Sequence, residues 1–188
     1  KASPAVAETK SAPPLDAGVL LSVDELRAVT GYSGDITVEK LGDLPTTSSY
    51  DSRHFKALGK PESYDVGVRV WRLGSAASEV QYNKLLATLP GARVSDEVGD
   101  ASFRALSGEI GGLVFLVRER GVVVSMTCGN AQCPEPSLIA KLSKLVESRL
   151  PELPAETPRL PAPATPSGPP VDTDNPALKP TPSPEVSP

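Results

Sequence analysis

Two cysteines stand five positions apart in the segment CGNAQCPEP (128–136), and the chain's single histidine, His54, lies far from them in sequence. These are the residue types that most often carry metal, redox or acid–base chemistry. A structural metal site takes about four nitrogen or sulfur ligands and a catalytic one about three. Two thiols and one distant imidazole do not supply either set. A redox dithiol is usually spaced C-x-x-C, whereas Cys128 and Cys133 are spaced C-x4-C. A disulfide needs α-carbons roughly 4.4 to 6.8 Å apart. A turn containing Gly129 and Asn130 can bring the ends that close. The expected state is therefore a Cys128–Cys133 disulfide, with two free buried thiols as the alternative. A loop this short removes little unfolded-state entropy, so the bond is expected to contribute about 2 kcal/mol or less.

The other chemistry-bearing stretches read more simply. His54 has no accompanying Ser or Cys in a recognisable nucleophile elbow, and a strand histidine at the surface accounts for it. SGEIGG (107–112) lacks the Lys-Ser/Thr ending of a phosphate loop and leads into a strand, so it reads as a Gly-rich turn. DEVGD (96–100) gathers three carboxylates and reads as a solvated turn. DTDN (172–175) opens like a calcium loop, but Pro176 follows and no glycine stands at the sixth position. No catalytic residue, metal ligand or cofactor site is expected. The candidate binding residues are Arg69 and Trp71, on the polar parity of a strong strand, because an exposed Trp beside Arg is a common anchor. The competing reading buries Trp71 under the first helix or a loop.

These residues must be positioned by a small set of elements. LLSVDELRAVTG (20–31) carries a helix start and stop: Ser22 as N-cap, Glu25 completing a capping box, Leu21 and Leu26 as a hydrophobic staple, and Gly31 as terminator. ITVEKL (36–41), SYDSRHF (49–55) and YDVGVRVW (64–71) have the period of strands. In the last, Val66, Val68 and Val70 point one way and Asp65, Gly67 and Arg69 the other. A helix follows over 75–91, with Tyr82, Leu85, Leu86 and Leu89 on one face. Strands are predicted at 101–106, 112–119 and 121–128, the last two joined by the tight turn RERG, and a helix at 136–150. The order is α-β-β-β-α-β-β-β-α. It predicts an α+β domain: an antiparallel sheet of about five to six strands with helices packed mainly on one face.

Composition sets the boundaries. All eight aromatic residues fall between Tyr32 and Phe115, and 13 of the 21 prolines fall in residues 151–188. Residues 1–15 and 151–188 are therefore expected to be a disordered leader and a disordered Pro-rich tail around one domain at 16–150. Cutting after Pro151 should leave such a domain intact. Within the tail, PRLPAPATP (158–166) suits docking in an aromatic groove, with a passive spacer as the alternative. The net charge of −4 shows no basic patch interleaved with aromatics, which argues against nucleic acid. No apolar run reaches the roughly 18 residues of a spanning helix.

LLSVDELRAVTG, VGDASFRA (98–105) and GLVFLVRERGVVVSM (112–126) together resemble small bacterial secreted lipoproteins and the extracellular sensor domain of mycobacterial serine/threonine kinases. The resemblance covers about residues 19–150 and implies an α+β domain with a central antiparallel sheet, usually disulfide-bonded, facing the periplasm or the cell exterior. It implies no catalytic residues. The expectation is a non-enzymatic cell-envelope interaction module. It would be secreted across the inner membrane, periplasmic or anchored to the outer membrane by an N-terminal lipid, and monomeric in isolation. Its partner would be another envelope protein or a cell-wall component. The alternative is a sensor that binds a small molecule or glycan in a cleft against the sheet.

Overall fold

The computed structural model describes residues 13–154. The elements in chain order are α1 (Val23–Thr30), β1 (Ile36–Glu39), β2 (Tyr50–Ala57), β3 (Val66–Arg72), α2 (Ser75–Thr88), β4 (Arg93–Ser95), β5 (Ala101–Ser107), β6 (Ile110–Val117), β7 (Val122–Gly129) and α3 (Pro136–Arg149). Short 3-10 turns stand at Ala17–Val19, Glu62–Tyr64 and Leu150–Glu152. The Pro-rich stretch 158–166 and DTDN (172–175) lie outside the described residues.

The α+β class is as expected. The seven strands form one antiparallel sheet in the order β1-β2-β3-β7-β6-β5-β4. The first three strands run as a meander. Helix α2 then carries the chain to the far edge, and the last four strands return as a second meander. The two meanders join where β3 pairs with β7, from Val66 opposite Cys128 to Arg72 opposite Val122.

Helix α1 starts as its sequence demands. The Ser22 hydroxyl accepts the Glu25 N–H, the Glu25 carboxylate accepts the Ser22 N–H at 2.9 Å, and Gly31 ends the helix at φ 75°. Leu21 and Leu26 are both buried, which completes the staple.

The strand pattern divides the sheet into two faces. Val66, Val68, Val70, Leu113, Phe115, Val124 and Met126 face α1 and α3 and form the larger core with Leu142 and Val146. Burying a side chain such as Leu113 or Phe115 contributes roughly 2 to 3 kcal/mol. The helices lie mainly on one face, as expected, but the opposite face is covered as well. Two helices take one face, but α2 takes the other, packing Tyr82, Leu85, Leu86 and Leu89 on Phe103, Val114, Leu116, Val123 and Trp71. A seventh strand, β4, adds the edge beyond the five or six expected.

The packed region also runs past 16–150 on both sides. Leu15 is buried and its N–H donates to the Thr47 carbonyl at 2.8 Å; Leu153 is buried as well. Arg72, buried at the end of β3, donates to the Ser48 carbonyl at 3.1 Å and to the Pro154 carbonyl. Asp51 is fully buried beneath the Ala17–Val19 turn, accepting the Ala17 N–H and the Thr46 hydroxyl, each at 2.7 Å, and pairing with Arg53 at 2.8 Å. Among the described residues no helix is long and apolar enough to cross a membrane.

Candidate functional site

Cys128 is the last inward-facing residue of β7, and Cys133 stands after a short turn that leads to α3. Their α-carbons are 6.0 Å apart and the sulfurs are bonded. The turn is set by backbone bonds from Gln132 and Cys133 N–H to the Gly129 carbonyl, at 3.0 and 2.8 Å. A second brace comes from the Glu62–Tyr64 turn, whose Ser63 carbonyl accepts both Ala131 and Gln132 N–H. Gly129 makes that contact achievable: a Cβ there would lie 2.2 Å from the Ser63 backbone. The disulfide thus staples a strand-to-helix corner, as its spacing suggested.

Beside this corner lies a cleft of about 490 Å³. Its origin is a change in composition along β6. From Leu113 onward the face toward α3 is filled by large side chains, but at Gly111 the strand presents none. Nothing else fills the gap, because α3 begins only at Pro136. The Cys128–Cys133 bond and Pro134 form one wall, Ile139 and Pro136 the roof, and Leu106 and Arg104 the opposite wall. A cavity of this size lies within the range of small-ligand sites.

Charge at the mouth is unequally satisfied. Arg93 on β4 and Arg104 on β5 are direct cross-strand partners, and both line the cleft. Arg104 grips Glu97 with two nitrogens, at 2.6 and 2.5 Å, and donates to the Pro136 carbonyl at 3.0 Å. Those hydrogen bonds hold the Glu97 carboxyl below its ordinary value against the opposing effect of burial, helped by the Arg104 and Lys144 charges. Arg93 is exposed and makes no side-chain hydrogen bond or ion pair among the described residues. One positive charge at the mouth is uncompensated.

The candidates read from sequence lie elsewhere. Arg69 and Trp71 sit on the α2 face of β3, away from the cleft. Arg69 is half-buried, opposite Ser52 on one side and Ser125 on the other. Trp71 is half-buried beside the small core, its ring 5.5 Å from that of Tyr50. Helix α2 and Tyr50, rather than α1, are what cover it. DEVGD is not simply solvated: Val98 is buried, Glu97 holds Arg104, and Asp100 accepts the Arg118 N–H at 2.6 Å.

His54 borders a smaller cavity of about 160 Å³ with Asp65 and Thr127. Its Nε2 faces Asp65 at 3.0 Å and its Nδ1 faces Glu39 at 3.5 Å. Asp65 also accepts the Ala57 N–H at 3.0 Å. Both ring nitrogens are turned to carboxylates, so the imidazole ties β1, β2 and the approach to β3 together. Among the described residues, no group of three or more His, Cys, Asp or Glu side chains is placed to hold a metal ion.

Sequence reasoning missed Arg93, Arg104 and Gly111 as a set. The signal was Gly111-Gly112 inside β6, beside its apolar run, since a glycine inside a strand often marks a close approach or an open groove. No protein-family model and no curated protein matches the chain. Among solved structures, a GTP-binding regulator from Thermotoga maritima is similar at 14% identity, over 68% of this chain and 89% of that chain, with a TM-score of 0.39; a likeness this distant carries no argument.

Proposed function

We propose that this is a non-enzymatic interaction module of a bacterial cell envelope, taking another envelope component at the cleft beside Cys128–Cys133. The observation that carries the reading is the cleft itself: preformed, apolar-walled and braced by a covalent bond. Bracing of this kind lowers the ordering cost of binding. The bonded cysteine pair supports an oxidising compartment, where disulfides persist.

A small-molecule sensor is the second reading, favoured by the cavity's position against the sheet. Its glycan form has less support. The cleft lining contains no aromatic ring on which a sugar could stack.

The test is capture from envelope extract with immobilised domain. Three proteins are compared: wild type, Gly111→Val, which narrows the cleft, and Arg69→Ala on the opposite face. The expected result is capture by wild type and Arg69→Ala and weakened capture by Gly111→Val. Equal capture by all three removes the cleft from the reading, and no capture above background removes the interaction.

A further inference from the structure

We infer that the cleft takes a single acyl chain ending in a carboxylate, a fatty-acid anion. The inference rests on the binding role proposed above and names its ligand class.

Three observations lead there. The first is size. The cleft offers about 490 Å³, within the range of small-ligand sites. That suits a chain of a dozen or so carbons with its head group.

The second is the poverty of hydrogen-bonding partners inside. Leu106, Ile139, Pro134 and the disulfide make apolar walls, and the polar side chains of the lining are Arg93, Arg104 and Asn130. The floor is glycine backbone, but β6 is an interior strand, paired with β5 on one side and β7 on the other. Its N–H and C=O groups are spent in the sheet. A peptide or a sugar laid along that floor and those apolar walls would bury more polar groups than these three side chains can serve, at a cost of roughly 1 to 3 kcal/mol for each one left over. Methylene groups incur no such cost.

The third is charge. Glu97 neutralises Arg104, and Arg93 beside it has no carboxylate among the described residues. A planar carboxylate fits a guanidinium through two parallel hydrogen bonds. One unspent arginine at the mouth of an apolar cavity calls for one anionic group on an apolar tail.

Gly111 supplies the control. Its backbone lies outside the left-handed region, and a Cβ built there meets only the Cys128 carbonyl oxygen at 3.7 Å, an ordinary contact. A side chain at 111 therefore starts without a clash, and a β-branched one suits the strand.

The experiment is isothermal titration calorimetry with sodium laurate below its micelle-forming concentration. Dodecyltrimethylammonium serves as the same tail with the opposite charge, and butyrate as the head without the tail. Wild type is expected to bind one laurate, to bind the cationic amphiphile at least about tenfold more weakly, and to ignore butyrate. Arg93→Ala should weaken laurate by about tenfold and abolish the preference for the anion. Gly111→Val should weaken binding of both amphiphiles by about tenfold or more, with the melting temperature within a few degrees of wild type. Absence of laurate binding to wild type overturns the inference, as does binding unchanged by Gly111→Val. The two proposals fail separately. If envelope capture depends on Gly111 while laurate does not bind, the ligand class is wrong and the docking site stands. If laurate binds but capture ignores Gly111, the reverse holds.

Discussion

Arg93 and Arg104 face each other directly across the β4–β5 ladder, and one carboxylate, Glu97, serves only the second of them. Opposed like charges destabilise a sheet pair. Glu97 is what makes the pairing tolerable, so Glu97→Gln should cost about 1 kcal/mol in urea unfolding at low salt. High salt should shrink that loss. Adding Arg93→Ala should recover part of it, and a strictly additive double mutant would show that the two arginines do not sense each other.

Asp51 is the most constrained carboxylate in the domain. Burial alone would raise its pKa, but the Ala17 and Ser52 N–H groups, the Thr46 hydroxyl and the Arg53 charge outweigh burial and hold it below the ordinary value. A carboxyl with a depressed folded-state pKa stabilises fully above its unfolded value, near 3.9. That contribution fades as the pH falls below about 4 and is lost once the folded-state value is passed. Asp51→Asn should cost about 3 kcal/mol at neutral pH and flatten the acid limb of the stability curve. Urea midpoints measured from pH 7 down to the acid transition check both effects.

Reducing the Cys128–Cys133 bond should leave a folded protein. The closed loop is short, and the Gly129 and Ser63 carbonyls hold the turn independently. A loss of about 2 kcal/mol is expected in denaturant titrations with and without reductant. Alkylation followed by mass spectrometry should find no free thiol before reduction.

Trp71 and Arg69, neighbours on one strand face, should separate cleanly. Trp71→Ala removes a ring that packs on Tyr50 and the α2 cluster and should cost about 2 kcal/mol or more. Arg69→Ala touches no ion pair and should stay within about 0.5 kcal/mol. A stable Trp71→Ala protein that has lost envelope capture would instead make the ring a binding anchor.

The C-terminal edge of the domain is sharper than its prolines suggest. Ending the chain at Pro151 deletes the buried Leu153 and the Pro154 carbonyl that Arg72 binds. That truncation should cost about 2 kcal/mol in chemical unfolding, while a chain ending at residue 157 should match full length.

The parts of the fold legible in the sequence are those specified locally. Ser22, Glu25 and Gly31 each serve the α1 backbone through residues within a few positions, so their pattern is readable without the tertiary structure. The alternation of Val66, Val68 and Val70 likewise announces one buried strand face. What stayed hidden depends on distant partners. The stripe from Tyr82 to Leu89 says that α2 buries a face, but not on which side of the sheet. Trp71 among the polar-parity residues was the hint of a second core. Strand β4, only Arg93–Ser95, has no periodicity and exists by pairing with Arg104, Phe103 and Ser102. Leu15 and Leu153 are single apolar residues among prolines, and only the packed structure marks them as core. The cleft was illegible for the same reason, since it needs the register that sets Arg93 beside Arg104 and the starting point of α3.

The two ends of the folded region are tied to adjacent residues. Leu15 hangs from the Thr47 carbonyl, and Pro154 is joined through Arg72 to the carbonyl of Ser48. Both lie at the Arg72–Val122–Val117 end of the sheet, while Gly111 and Cys128 lie at the other, about 20 Å away at roughly 3.3 Å per residue. Chain therefore enters and leaves the domain at one pole and the cleft opens at the opposite one. Within the described residues, the pole that carries the cavity is thus left clear of the domain's own entry and exit strands of chain.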